Sequence, residues 1–216
     1  MRITQLQQSG VIITTANGTR IAIDIGSMTP LTDLVDKTVD IMLVSHIHAD
    51  HFSPDHITAL QPKTLCLGVE CAAAVSDRTD FISVERLMKV GDVFTVKDVT
   101  VEVFSVDHGP NVTSPLAENF GFLITAAEDS LYFAGDMFYP SGLDVSQLDV
   151  DVALLPVGTF YTFGPEEAVA FARSFKHVGC VLPMHYEKQP ESYDIFHTLA
   201  PRAGIATLPT ERIKVL

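Results

Sequence analysis

Four side chains able to bind a metal ion fall within one six-residue window. His46, His48, Asp50 and His51 spell H-x-H-x-D-H. Imidazole nitrogens and carboxylate oxygens are ligands that divalent zinc, manganese and iron accept. Donors this close together on one loop can converge on an ion without a large loss of chain entropy. The window therefore predicts a metal site.

Three further donors lie where strand-like runs of residues end. His108 stands in VDHG, Asp136 in FAGD, and His185 directly after VLPM. Strand ends are places where side chains from distant parts of a sequence meet around a site. Together with the first four, these residues supply seven donors, which is enough for two ions.

The histidine window is predicted to lie in a loop between a strand and a helix. Ile41 to Ser45 is a short, continuous apolar run, as expected of a strand that is buried on both faces. A helical pattern follows at Pro54 to Leu60. Near the N-terminus, Val11 to Ile25 predicts a hairpin whose Asn17-Gly18 turn is of type I′.

The rest of the chain alternates predicted strands and helices. Gly164-Pro165 marks a helix start, because proline in the first turn has no amide hydrogen to lose. Predicted strands cover Thr64–Val69, Asp92–Val96, Val99–Val106, Phe120–Ala126, Ser130–Ala134, Val150–Val157, Cys180–Met184, Ile205–Leu208 and Arg212–Leu216. Predicted helices cover Glu70–Ser76, Pro165–Phe175 and Ser192–Leu199. Strands outnumber helices, so we expect two sheets covered by outer helices.

Composition restricts the classes of protein that the chain can represent. Its 216 residues are 47% hydrophobic, which allows one sizeable core, and we expect a single domain over residues 1–216. The formal net charge of -13 repels phosphate backbones and disfavours nucleic acid as a partner. Cys66, Cys71 and Cys180 lack CxxC spacing and are interpreted as reduced core residues.

Membrane and export signals are not evident in the sequence. The start, MRITQLQQSG, lacks the basic end and apolar run of a secretory signal. No stretch approaches the roughly 18 to 20 apolar residues of a spanning helix. We therefore expect a cytoplasmic protein without a membrane partner. The sequence leaves a homo-oligomer open.

The motif set resembles the metallo-β-lactamase superfamily, in which H-x-H-x-D-H is followed by a distant His, a bridging Asp and a final His. The resemblance covers nearly the whole chain. It implies an α/β fold, a four-layer αββα sandwich of two mixed sheets with helices on the outer faces and the metals at one edge. It assigns His46, His48 and His108 to one metal, Asp50, His51 and His185 to the other, and Asp136 to both.

Finer features of the resemblance concern the branch and the metals. VGTFYTFGPEEA followed by VLPMHY looks like the branch that includes ascorbate-6-phosphate lactonase-like proteins. Asp24, which precedes Gly26, resembles a family position that supports the metal loop. Zinc is the default for two divalent ions at a histidine-rich site, manganese is suggested by the lactonase-like branch, and iron is a further option.

These residues imply a hydrolase of a small ester, lactone or phosphoester. The nucleophile is expected to be a hydroxide shared by the two metals, which lower the pKa of water toward roughly 7. Asp50 is the candidate to orient this nucleophile and shuttle its proton. Tyr186 is a candidate donor to an oxyanion, and Tyr161 belongs to an aromatic group at the predicted pocket rim. The locally positive centre suits a small, anionic substrate.

Three other functions compete with this one. A nuclease could use the same centre, but the acidic surface and the lack of a basic stretch count against it. Iron-based redox relatives often replace one ligand of the first motif with a carboxylate, whereas His48 is retained here. A non-catalytic metal-binding module is the third alternative. The remaining histidines, His56, His177 and His197, are predicted not to be ligands.

Overall fold

Two mixed β-sheets form the body of the protein. The computed structural model describes residues 1–78, 85–109, 116, 118–138, 143–208 and 213–215. Within them, sheet A contains β1 (Arg2–Gln5), β2 (Val11–Thr14), β3 (Arg20–Ile23), β4 (Ile41–Leu43), β5 (Thr64–Leu67), β6 (Arg86–Leu87) and β13 (Ile213–Val215), in the spatial order β13-β1-β2-β3-β4-β5-β6. Sheet B contains β7 (Val93–Val96), β8 (Val99–Ser105), β9 (Phe120–Ala126), β10 (Asp129–Phe133), β11 (Asp149–Pro156) and β12 (His177–Met184), in the order β12-β11-β10-β9-β8-β7.

Helical segments connect the parallel strands of sheet A, and a helix connects β11 to β12 in sheet B. The α-helices in the described residues are α1 (Pro54–Leu60), α2 (Val69–Ala74), α3 (Pro165–Ala172) and α4 (Pro190–Arg202), and a 3-10 turn spans Leu31–Leu34. Proline occupies the first turn of α1, α3 and α4, where its missing amide hydrogen leaves no helical bond unmade. The predicted start of α3 at Pro165 is confirmed.

The two sheets pack face to face, and successive side chains of a strand point alternately toward the other sheet and toward an outer face. In β3, Ile21 and Ile23 join a core cluster that includes Val101 and Phe122 from sheet B. Ala22 points the opposite way, into a second cluster on the outer face of sheet A. Alternation of this kind lets one strand serve both a sheet interface and a helix interface.

The helices cover the outer faces of both sheets. Ile57 and Leu60 of α1 and Cys71 of α2 lie in the cluster on sheet A. Phe171 of α3 packs against Tyr132 of β10 in sheet B, with ring centroids 6.3 Å apart, and Phe196 of α4 lies in the same continuous core cluster. The predicted four-layer αββα arrangement with two mixed sheets is therefore confirmed.

Local predictions differ from the structure at several places. The turn after β2 is not type I′, because Gly18 has a positive φ of 84° while Asn17 does not; Thr15 instead closes the turn through bonds with Gly18 and Thr19. The strand predicted at Ile205–Leu208 is reduced to a single bridge between Val181 and Thr207. Strands β1 and β6 lie in segments for which no strand was predicted.

Two other expectations concern the cysteines and the membrane. The three cysteines are buried and form no disulfide, as predicted. In the part of the chain that the structure describes, no helix has the length and hydropathy needed to cross a bilayer. The ends of the strand predicted at Arg212–Leu216, Arg212 and Leu216 themselves, lie outside the described residues.

Candidate metal centre

The candidate ligands meet at one edge of the sandwich because the strands before them end there. His185 directly follows β12, and Asp136 and His108 follow β10 and β8 by a few residues. β10, β11 and β12 are parallel, and β8 runs in the same direction because both β8 and β10 are antiparallel to β9. The loop with the histidine window leaves β4 in the facing sheet.

The seven side chains form two groups that share Asp136. In each group, the possible ligand atoms all lie within 4.8 Å of one another. The first group is His46, His48, His108 and Asp136, and the second is Asp50, His51, His185 and Asp136. These are the two sets that the family resemblance implies, and the structure brings all seven predicted residues together.

The carboxylate of Asp136 lies between the two groups. Its Oδ1 is 3.1 Å from Nε2 of His51, and its Oδ2 is 3.1 Å from Nε2 of His185. The same Oδ2 is 3.3 Å from Nε2 of His108, which belongs to the first group. A carboxylate with two oxygens in this position can contribute to both groups at once.

Several of these buried atoms have no hydrogen-bond partner among the described residues. They are both ring nitrogens of His108, and Nε2 of His51 and Oδ1 of Asp136, which lie 3.1 Å apart without hydrogen-bond geometry. A buried polar atom left without a partner destabilises a protein by about 1 to 3 kcal/mol. A cation in each group would satisfy three of these four atoms, and the nitrogen and oxygen donors suit zinc, manganese or iron. The residues therefore fit two divalent ions.

Burial and neighbouring charges shift the pKa values of the candidate ligands in different directions. Burial opposes ionisation of Asp136, but His185 and His51 outweigh it and hold the carboxyl pKa well below its usual range. Burial likewise opposes the charge on His185, yet Asp136 raises its pKa to about 9. Burial lowers the pKa of His46 and His48, so these rings are neutral.

Asp24 orients histidines of both groups from behind. It is fully buried, and its Oδ1 and Oδ2 accept hydrogen bonds from the backbone and hydroxyl of Ser45 at 2.7 and 2.6 Å. Oδ2 is also 2.7 Å from Nδ1 of His51, while the Ser45 hydroxyl is 2.8 Å from Nδ1 of His46. Asp24 therefore lies where the family resemblance implies a residue that supports the metal loop.

Two glycines allow the loops to approach this closely. A Cβ on Gly26 would lie 2.1 Å from the carbonyl carbon of Asp50, and a Cβ on Gly158 would lie 2.1 Å from the carbonyl oxygen of His185. His185 itself has a φ of 60°, in the left-handed region that non-glycine residues rarely adopt. Backbone strain of this kind persists only where the surrounding structure fixes it.

A pocket of about 130 Å³ opens onto the centre. The described residues that line it are His48, Asp50, His108, Asp136, Tyr161, His185 and Lys188. Tyr161 is therefore at the predicted rim, with 42% of its surface exposed. Tyr186 is not in the lining: its ring packs against Tyr193 at 5.0 Å, and burial raises the pKa of its hydroxyl to about 12.

The other histidines lie outside both groups. His56 in α1 contacts the Ser53 hydroxyl and the carbonyl of Thr29, each at 2.7 Å. His177 is 3.1 Å from a carboxylate oxygen of Asp149, and His197 is 3.0 Å from the hydroxyl of Thr207. Each contact accounts for the residue structurally.

Two residues at the centre were not selected from the sequence. Gln8, in the loop after β1, is 3.0 Å from a carboxylate oxygen of Asp50 through its side-chain amide. Lys188 follows the last histidine by three residues in HYEKQP. That proximity was a usable signal for Lys188, whereas no local pattern distinguishes Gln8 from its neighbouring glutamine.

The sequence matches a known family over most of its length. Residues 2–185 match the model of a beta-lactamase superfamily domain. The matched segment contains all seven candidate ligands, and its last residue is His185.

Named relatives and a solved structure agree with this match. The chain is 33% identical over 205 residues to a UPF0173 metal-dependent hydrolase from Anoxybacillus flavithermus, with 88% of each chain covered. A second UPF0173 metal-dependent hydrolase, from Methanoculleus marisnigri, is 36% identical over 162 residues, which are 70% of this chain and 67% of that protein. Igni18, a metallo hydrolase from Ignicoccus hospitalis, has a TM-score of 0.82 at 19% identity, covers 100% of this chain and 98% of its own, and is similar in fold.

Proposed function

Since the chain belongs to the UPF0173 metal-dependent hydrolases of the metallo-β-lactamase superfamily, it is a metal-dependent hydrolase, and we propose that it cleaves a small ester, lactone or phosphoester with two divalent cations bound at the centre. The observation that carries this proposal is the position of Asp136 within both ligand groups. Zinc is the proposed metal, with manganese and iron as alternatives that the same donors accept.

The chemistry depends on both the cations and the protein. When bound, the cations would supply Lewis acidity and lower the pKa of a coordinated water toward neutrality. Asp50 faces the pocket and is partly exposed. Burial would raise its pKa, but the contact with His185 and the charge of His51 hold it below the usual range. Asp50 is therefore ionised in the metal-free protein, and from its place in the pocket lining it would orient a nucleophilic water and accept or shuttle its proton.

The pocket supports a small substrate. Its volume of about 130 Å³ is below the roughly 300 to 1,000 Å³ of sites for drug-sized ligands. Lys188 adds a positive charge to the lining, which favours an anionic group on the substrate. Tyr161, from the segment that resembles the lactonase-like branch, is also in the lining, and this supports a lactone among the candidate substrates. The net charge of -13 continues to disfavour a nuclease.

Elemental analysis of the purified protein and a hydrolysis screen test the proposal together. The screen should span lactones, thioesters and phosphodiesters, before and after a chelator and after zinc or manganese is restored. We expect two metal equivalents and chelator-sensitive turnover that His48→Ala abolishes. His177→Ala is the control, because His177 lies outside both groups. A native preparation that takes up fewer than two equivalents would contradict the two-cation centre.

A further inference from the structure

Gln8 reaches the second ligand group from the loop between β1 and β2. Only 3% of its surface is exposed. Its amide Nε2 donates to Oδ2 of Asp50 at 3.0 Å and lies 2.8 Å from Nε2 of His185. The histidine nitrogens of the same group are farther from that Asp50 oxygen, at 3.5 Å for His185 and 3.7 Å for His51. The amide is therefore well placed to hold the Asp50 carboxylate.

The backbone of Gln8 is bonded to the segment that carries the last histidine. The carbonyl oxygen of Gln8 accepts a hydrogen bond from the backbone N–H of His185 at 3.1 Å. The N–H of Gln8 donates to Oε1 of Glu187 at 2.5 Å. These two bonds join residues about 180 positions apart in sequence, and they anchor His185 where its φ of 60° needs support.

Packing and backbone geometry alone do not favour glutamine at this position. Its φ is 58°, in the left-handed region where asparagine or glycine is favoured. Its Oε1 is buried with no hydrogen-bond partner among the described residues. A strained and incompletely satisfied amide is retained where its donor end meets the carboxylate of Asp50. The length of the glutamine side chain is what allows that donor to reach Asp50.

We propose that Gln8 is a positioning residue of the metal centre, which fixes Asp50 through its side-chain amide and His185 through its backbone carbonyl, for the cation that this pair would share. The inference rests on the proposed two-cation centre. It assigns the N-terminal loop a part in metal binding, although this loop supplies none of the seven ligands. Removal of the amide contact should weaken one of the two bound cations and leave the other unchanged.

Gln8→Asn tests the assignment without disturbing the backbone. Asparagine tolerates a positive φ better than glutamine and keeps a polar amide, but it is one methylene too short to make the same bond to Asp50. Gln5→Asn is the matched control. Gln5 lies in β1, and its Nε2 donates to the carbonyl of Pro183 at 2.8 Å, near the centre but on no ligand atom. Gln8→Met is a second variant, which keeps the side-chain length and removes the amide.

The measurement is titration of metal-free protein with Zn²⁺ by calorimetry and with Co²⁺ by visible absorption. We expect wild type and Gln5→Asn to bind two equivalents with the same affinities. In Gln8→Asn and Gln8→Met, one equivalent should bind at least tenfold more weakly, the same one that His185→Ala loses, while the thermal transition without metal is unchanged for Gln8→Asn. Wild-type affinity for both equivalents in the Gln8 variants, or equal weakening of both, would overturn the positioning role. Failure of the wild type to bind two equivalents would instead overturn the proposed centre and, with it, this inference.

Discussion

Oδ2 of Asp24 lies 2.7 Å from Nδ1 of His51, on the side of the ring that faces away from Asp136. A carboxylate in this position keeps the proton of the neutral ring on Nδ1, so that Nε2 is left to bind a cation. Because the same oxygen accepts the Ser45 hydroxyl, which contacts Nδ1 of His46, one buried carboxylate orients rings in both groups.

Asp24→Asn should therefore weaken metal binding in both groups. Asparagine has a single acceptor oxygen. The carboxylate of Asp24 accepts through both oxygens, from the Ser45 backbone at Oδ1 and from the Ser45 hydroxyl and His51 at Oδ2. Partners of this kind typically contribute 10- to 100-fold to metal affinity, and we expect a loss in that range. Competition with a chromogenic chelator measures it. Asp144→Asn, on an exposed loop, should leave the affinity unchanged. Wild-type affinity in Asp24→Asn would show that Asp24 does not orient the ligands.

The shared position of Asp136 predicts how many metal ions each ligand variant retains. His48→Ala and His185→Ala each remove a member of one group, so each should retain one tight equivalent of zinc. Asp136→Ala removes a member of both and should retain neither. Elemental analysis after dialysis against dilute zinc measures the retained metal. If Asp136→Ala kept one tight equivalent, Asp136 would belong to only one group.

Lys188 should affect substrate binding and not metal binding. Lys188→Met removes the cation from the pocket lining, so KM for an anionic substrate should rise several-fold while kcat and metal content stay near wild type. The effect should shrink as salt is added, because exposed charges are screened. Lys176→Met, at the opposite end of β12, is the control. An unchanged KM for every anionic substrate would exclude recognition by Lys188.

Local sequence patterns were sufficient to predict the elements nearest the site. α1 begins and ends where its pattern predicted, at Pro54 and Leu60, because its start, its apolar face and its end are all encoded within seven residues. The histidine window was predictable as a loop because the apolar run before it ends sharply at Ser45.

Long-range pairings were not predictable in the same way. β1 is completed by β13, a strand about 210 residues away, and its own sequence gives only a weak alternation of buried and exposed side chains. Gln8 acquires its role through Asp50 and His185, which lie 42 and 177 residues away. No spacing rule within MRITQLQQSG could distinguish Gln8 from Gln7, because the difference between them arises only after the sheet has formed.

Asp40 joins the two sheets at the end of β4 that is remote from the candidate metal centre. Its Oδ1 accepts from Lys97, in the turn between β7 and β8 of sheet B, at 2.6 Å and from Lys63 at 2.9 Å, and its Oδ2 accepts from the backbone of Arg20 at 3.0 Å. Burial alone would raise the carboxyl pKa, but these bonds hold it well below its usual range. The folded state therefore binds this proton less readily than the unfolded state does.

Asp40→Asn should lower stability in a pH-dependent way. A lowered folded-state pKa contributes stability that is present above the unfolded value, about 3.9, and is lost as the pH falls through the folded value. At pH 7 the variant should be less stable by about 2 kcal/mol, a melting-temperature decrease of about 4 to 8 °C. The gap should narrow as the pH falls below about 4. Thermal unfolding of metal-free protein from pH 3 to 8 measures this, with Asp194→Asn on the surface of α4 as a control that should track wild type. Zinc uptake should be the same in the variant and the wild type. A difference in stability between them that stayed constant across this pH range would mean that the Asp40 charge contributes nothing to holding the sheets together.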